Sequence, residues 1–224
     1  MTVRSLEVLP DAAAVARRGA DEVAAAASVA IAARGRFTFA VSGGHTPWAM
    51  FRALAGEDLA WEAIGIWQVD ERVAPDGDPD RNLTSLSEAL PEAVELHPMP
   101  VTRDDLDAAA ERYAASLPEA FDLVHLGMGN DGHTASLVPG DPVVEATGRD
   151  VGLTREYRGR RRMTLTYPAL DRARRVLWLI TGGDKAAMLP RLLAGDPSIP
   201  AGRVSAEEQL VVADRAAASE VAAS

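Results

Sequence analysis

The chain has 224 residues, 47% hydrophobic and 25% charged, the proportions of an ordinary globular protein and not of a disordered or fibrous one. A formal net charge of -10 gives it no sequence-independent attraction to nucleic acid or anionic lipid, so any anionic ligand must be gripped locally. The absence of cysteine excludes disulfides, thiol catalysis and thiolate metal sites, and the length suits one large domain over residues 1–224.

The N-terminal "MTVRSLEVLP" has no apolar signal core, and no apolar run is long enough to span a bilayer, so a cytoplasmic protein without membrane contact is expected. "SLEVLP" reads as a first strand, followed by an alanine-rich helix from about Asp11 to Ala33 with Gly35 as its stop. "FTFAVSGG" is a buried strand ending in Gly43 and Gly44, and "TPWAMFRALAG" a helix with Thr46 as N-cap and Pro47 at its first position. "AIGIWQVDER" forms a third strand ending in charge, "VAPDGDPDRN" a surface loop, and "LTSLSEAL" a helix. "DDLDAAAERYAASL" is a helix with an acidic first turn, and "FDLVHLGMG" a strand whose apolar run suggests burial on both faces. A loop region from Asp141 to Gly159 precedes strands at "RMTLTY" and "RVLWLIT". A Gly-Gly turn, a helix that Pro190 should kink or shorten, the strand "QLVVAD" and an alanine-rich tail complete the chain. Alternation of short β-rich runs with helical segments predicts an α/β fold, a Rossmann-like three-layer αβα arrangement with a mostly parallel central sheet.

In such a sheet ligands bind beyond the carboxyl ends of the strands, and the informative stretches fall there: Ser42 to Thr46, Asp70 to Arg72, Gly127 to His133 and Gly182 to Lys185. In "SGGHTP", glycine amides and the following helix N-terminus suit a phosphate, although a tight turn needing glycine for geometry alone competes with that reading. Ser42 lacks the Gly-x-Ser-x-Gly context of a hydrolase nucleophile. Lys185 in "GGDK" is the only lysine beside 22 arginines, which suggests that a compact point charge is wanted at this place. In Asp70-Glu71-Arg72 adjacent residues point to opposite faces, so only some can line one pocket; Arg72 could grip phosphate or carboxylate.

In "HLGMGNDGHTASLVPG", Gly127, Gly129 and Gly132 permit a sharp loop that carries Asp131 and His133, before a short helical turn at Thr134 to Leu137. An imidazole titrating near ~6.5 is a natural general base for water. His97, in a Pro-flanked loop, and His125, within a strand, read as structural. No histidine pair has metal-ligand spacing, and the glycines do not form Gly-x-Gly-x-x-Gly before a long helix, so neither a metal nor a nicotinamide cofactor is expected.

"SGGHTP", "WQVDER" with a downstream "DRN", "HLGMGNDGHTASLVPG", "RMTLTYPAL" and "GGDK", in this order and spacing, resemble the 6-phosphogluconolactonase family, part of a superfamily shared with glucosamine-6-phosphate deaminase. The resemblance runs from about Phe37 to about Ala194. It implies hydrolysis of 6-phospho-D-glucono-1,5-lactone to 6-phosphogluconate, the second step of the oxidative pentose phosphate pathway, with no cofactor, a small sugar phosphate as partner, no nucleic acid, and a monomer or weak homo-oligomer. It further implies His133 as base with Asp131 beside it. Substrate and phosphate contacts are implied from Ser42, Gly43, Gly44, Thr46, Asp70, Arg72, Gly129, Asn130, Arg162 and Lys185. The chain departs from the family pattern at His45, where Ser is common, at Trp67-Gln68-Val69, where Phe-Trp-Gly is common, and at Arg81, where Ser is common. A deaminase or isomerase of the superfamily would carry Asn-Glu where this chain has Thr134-Ala135-Ser136-Leu137-Val138-Pro139; a non-enzymatic sugar-phosphate sensor would not need His133.

Overall fold

A computed structural model describes residues 2–221; residue 1 and residues 222–224, the ends of the expected domain and of its alanine-rich tail, lie outside the described residues. The chain runs β1 (Val3–Leu9), α1 (Ala12–Arg34), β2 (Phe37–Val41), α2 (His45–Leu54), β3 (Ile64–Gln68), β4 (Asp70–Arg72), α3 (Asn82–Ala89), β5 (Glu95–His97), α4 (Leu106–Ala115) and β6 (Leu123–Leu126). It continues through β7 (Val151–Leu153), β8 (Arg162–Leu165), α5 (Tyr167–Asp171), β9 (Arg175–Ile180), α6 (Leu189–Leu193), α7 (Pro200–Arg203) and β10 (Glu208–Asp214). Seven strands form one sheet in the order β1-β10-β9-β6-β2-β3-β5, every neighbouring pair parallel. Helices cover both faces, as the alternating sequence predicts.

The two faces carry two apolar layers. On one, Phe37, Phe39 and Leu177 pack against Phe51 of α2 and the alanines of α1; on the other, Trp67, Val124 and Trp178 meet α4 and α5. The small side chains of α1 allow close approach to the sheet: a Cβ on Gly19 would stand 2.9 Å from Leu179. Each fully buried phenylalanine stabilises by about 1.5–3 kcal/mol relative to exposure, so these layers fix where the strand ends point. Asp11 caps α1 by accepting from the Ala14 N–H at 2.9 Å, and Gly35, at φ +75°, ends it.

Four expectations about strands and loops need correction. "AIGIWQVDER" is not one strand: β3 ends at Gln68, and β4 joins a second, antiparallel sheet β4-β8-β7. Val69 makes the transfer, because its N–H donates to Val41 O and its carbonyl accepts from Leu165 N, both at 2.8 Å. The loop after Asp141 contains β7, too short to show a period, and Tyr167, expected in a strand, opens α5. His97 lies in β5, not in a loop, stacked on Trp67 with centroids 3.9 Å apart. Pro190 lies in the first turn of α6, where its fixed φ is suited, and the helix is only five residues long, the shortening expected of it. Among the described residues no helix is long and apolar enough to cross a membrane.

Candidate active site

The loops following β2, β6 and β9 meet β4 and β8 around a cleft of about 510 Å³. Every residue expected to be catalytic or to contact substrate lines it except Asp131, which stands behind His133.

The loop after β6 is folded back by its own amides. Gly129 N–H donates to His133 O at 2.8 Å, and Gly132 N–H, at φ +80°, to Gly129 O at 3.1 Å. This lays the His133 ring directly on Gly129, where a Cβ would fall 2.1 Å from Nδ1. Asp131 Oδ1 accepts from the His133 N–H at 3.1 Å and faces Nδ1 at 2.5 Å. An ionised carboxylate only accepts, so Nδ1 is the donor, and in the neutral imidazole the lone pair is then on Nε2. Burial pushes the Asp131 carboxyl up, but hydrogen bonds from His133 and from the Tyr157 hydroxyl at 3.0 Å outweigh it and hold the carboxyl below its ordinary value.

The turn from Thr134 to Leu137 is not helical. Ala135 is left-handed at φ +51°, and Leu137 N–H closes a tight turn on Thr134 O at 2.9 Å. Tertiary bonds override local propensity here: Thr134 Oγ1 donates to Gly127 O at 2.8 Å, and Ser136 N–H donates to Thr164 Oγ1 at 3.1 Å.

Between β2 and α2, Gly44 at φ +131° is the N-cap, and α2 begins at His45. Thr46, expected to cap, instead bonds Thr181 Oγ1 at 2.8 Å, tying this loop to the end of β9. No side chain caps α2, so its first amides are left for the cleft. Gly43 is required by packing, because its Cβ would land 1.9 Å from Asn82 Oδ1. That oxygen accepts from Arg72 at 2.8 Å, and Asn82 Nδ2 donates to Asp70 O at 3.0 Å. Beneath the loop, Ser42 N–H donates to His125 Nδ1 at 3.4 Å. His125 is fully buried, and that burial depresses it to about 3, so it is a neutral, structural histidine.

β4 divides its side chains as alternation requires. Asp70 and Arg72 face the cleft, whereas Glu71 is fully buried and accepts from the Asn82 and Leu83 amides at 2.8 Å each, capping α3. Asp70 Oδ2 accepts from Ser136 Oγ at 2.6 Å, and Arg162 Nη1 reaches the same hydroxyl at 3.5 Å. Burial lowers the Arg162 pKa and Asp70 partly offsets it; the guanidinium stays charged. Lys185 ends a 3-10 turn, Gly183–Lys185, with Nζ 2.8 Å from Asp184. Asp214, at the end of β10, fixes that turn by accepting from the Gly182 N–H at 3.1 Å.

Three residues were not singled out from the sequence. Asn82 bridges the glycine loop and β4, and only the "DRN" motif pointed to it. Arg158 lines the cleft, and Tyr157 bonds Asp131. Both sit in "YRGR", a turn between two short strands that carries Gly159 but none of the Asn-Gly, Asp-Gly or Gly-Gly pairs that mark a hairpin in sequence. Arg72, Arg158, Arg162 and Lys185 together give a local cationic rim in a chain of net charge -10.

A family model described as glucosamine-6-phosphate isomerases/6-phosphogluconolactonase matches residues 10–212. The chain is similar to a 6-phosphogluconolactonase of Synechocystis, 37% identical over 81% of this chain and 83% of that protein, and to one of Nostoc, 30% identical over 97% and 98%. It superposes on the crystal structure of a 6-phosphogluconolactonase from Shewanella baltica with a TM-score of 0.85 at 25% identity, covering 96% of this chain and 98% of that one. A monomeric glucosamine-6-phosphate deaminase shares the fold, with a TM-score of 0.82 at 20% identity over 98% of this chain and 100% of that one, so architecture alone does not separate the two chemistries.

Proposed function

Since the chain belongs to the glucosamine-6-phosphate isomerase/6-phosphogluconolactonase family, we propose that its cleft hydrolyses 6-phospho-D-glucono-1,5-lactone to 6-phospho-D-gluconate, with His133 activating the attacking water. The observation that carries this reading is the Asp131–His133 pair, 2.5 Å apart at Nδ1, with His133 lining a cleft that also holds Arg72, Arg162 and Lys185. In this reading Nε2 takes a proton from water as its oxygen attacks C1. The C1–ring oxygen bond then breaks, and the imidazolium returns the proton to that ring oxygen, which stays tethered as a hydroxyl. No covalent intermediate and no resident cofactor is required.

The amides of Gly129 and Gly132 are already spent inside the loop, so the oxyanion donors are other loop amides or the guanidinium groups around the cleft. Lys185, Arg72 and the uncapped first turn of α2 form the phosphate cradle, which orients the lactone and disfavours unphosphorylated analogues. A deaminase is disfavoured by the residues after His133: where its Asn-Glu pair would stand, Leu137 and Val138 are buried and apolar, and Ser136 is committed to Asp70.

The test is purified protein given freshly generated 6-phosphogluconolactone or glucosamine 6-phosphate, with spontaneous lactone hydrolysis subtracted. Turnover of the lactone alone supports the reading, and ammonia release from the amino sugar would reverse it. His133→Ala should abolish most lactonase turnover while leaving 6-phosphogluconate affinity within about threefold, because the base is not part of the phosphate cradle.

A further inference from the structure

We propose that Tyr157 is a positioning residue of this site, locking the Asp131 carboxylate onto His133 from the tip of the β7–β8 hairpin; the inference rests on the general-base reading above. Asp131 has two carboxylate oxygens, and the fold occupies both. Oδ1 faces His133 Nδ1 at 2.5 Å, while Oδ2 accepts from the Tyr157 hydroxyl at 3.0 Å. A carboxylate held by one oxygen can rotate about its Cβ–Cγ bond; held by both, it is fixed in the plane that receives the imidazole proton.

The tip is constructed to keep the hydroxyl there. Tyr157 and Arg160 pair across it, with N–H···O distances of 2.9 and 3.3 Å, and the two residues between them, Arg158 at φ +51° and Gly159 at φ +79°, have the left-handed backbone of a type I′ turn. A non-glycine residue at positive φ is strained, and such strain persists only where the surroundings enforce it. Arg160 supplies one restraint by bonding Asp78 at 3.0 Å and Asp80 at 3.2 Å on the loop before α3. The ring supplies another: the guanidinium groups of Arg158 and Arg162 each lie 5.1 Å from its centroid, and its centroid is 5.7 Å from that of His133 at 67°. Burial and the adjacent Asp131 raise the phenol above its ordinary value, which keeps the hydroxyl a donor.

A packing role would not need the oxygen. Tyr157 is only partly buried at the edge of the cleft and belongs to neither apolar layer, so its ring adds little to the core. Tyr157→Phe keeps the ring over His133 and removes only the hydroxyl.

The experiment is a double-mutant cycle on lactone hydrolysis with Tyr157→Phe, Asp131→Asn and the combination, with kcat and KM determined separately and His133→Ala run alongside. Loss of one hydrogen bond to a charged group should lower kcat about tenfold, with KM within about twofold. In the Asp131→Asn background the same change should cost less than about twofold, because the group through which Tyr157 acts is already gone. An unchanged kcat in Tyr157→Phe, a rise confined to KM, or an equal loss with and without Asp131 would each overturn the assignment. An active His133→Ala would instead overturn the general-base reading itself, so the two failures are distinguishable.

Discussion

Replacing Gly129 with Ala tests whether the β6 loop exists to place His133. The Ala Cβ would stand 2.1 Å from His133 Nδ1 and 2.7 Å from Asp131 Oδ1, so the imidazole must retreat by more than 1 Å to reach ordinary contact. Gly129 does not have a positive φ, so alanine adds no such backbone strain, and its effect falls on the imidazole and the carboxylate it displaces. A misplacement of about 1 Å in a reacting group costs on the order of 100-fold in rate, close to 3 kcal/mol of barrier. The measurement is kcat for lactone hydrolysis, with thermal unfolding and 6-phosphogluconate titration as controls. We expect kcat to fall roughly 100-fold, with Tm changed by less than about 3 °C and product affinity retained. A variant whose kcat stays within threefold of the parent would refute the claim that this glycine is a geometric requirement of the base.

Lys185→Ala should raise KM for the lactone by about tenfold or more and leave kcat much less affected, since a charge-assisted contact to phosphate contributes to ground and transition states alike; steady-state kinetics on both substrate sides of KM would check it. Gly43→Ala forces Asn82 Oδ1, 1.9 Å from the new methyl, off Arg72, and KM should again rise several-fold while Asp131 and His133 are undisturbed. His125 provides a pH prediction. Its folded pKa, about 3, is below its unfolded value near 6.5, so between those limits the unfolded chain binds a proton that the folded chain does not, and stability falls as pH falls. From pH 7 to pH 5 this group alone should remove about 2 kcal/mol, and His125→Leu should lose correspondingly less over the same interval in urea titrations. Equal pH dependence in the two proteins would contradict that assignment.

The features legible in the sequence are those written in local chemistry. Asp11 and Gly35 bracket α1 because a cap and a left-handed stop are one-residue decisions, and the parallel sheet follows from apolar runs bounded by glycine. The convergence of four loops was legible because strand ends in a parallel sheet share an edge. What failed depended on partners distant in the chain. Thr46 gave up its expected capping role for Thr181, 135 residues away, and the turn after His133 took its shape from Gly127 and Thr164. Val69 could not be recognised as a crossing point, because its two hydrogen bonds run to strands that no local pattern pairs with it. Tyr157 was missed for the same reason: its bond to Asp131 spans 26 residues, and its hairpin strands are three and four residues long.

That crossing at Val69 has a mechanical consequence. Lys185 and the glycine loop are mounted on the large sheet, while Arg72 and Arg162, opposite one another in register, are mounted on the small one. A single sugar phosphate gripped from both sides would act as a strut between two plates that Val69 bridges. Occupancy should therefore slow amide exchange along β4, an edge strand of the small sheet, more than along β2 and β9, whose neighbours already hold them on both edges.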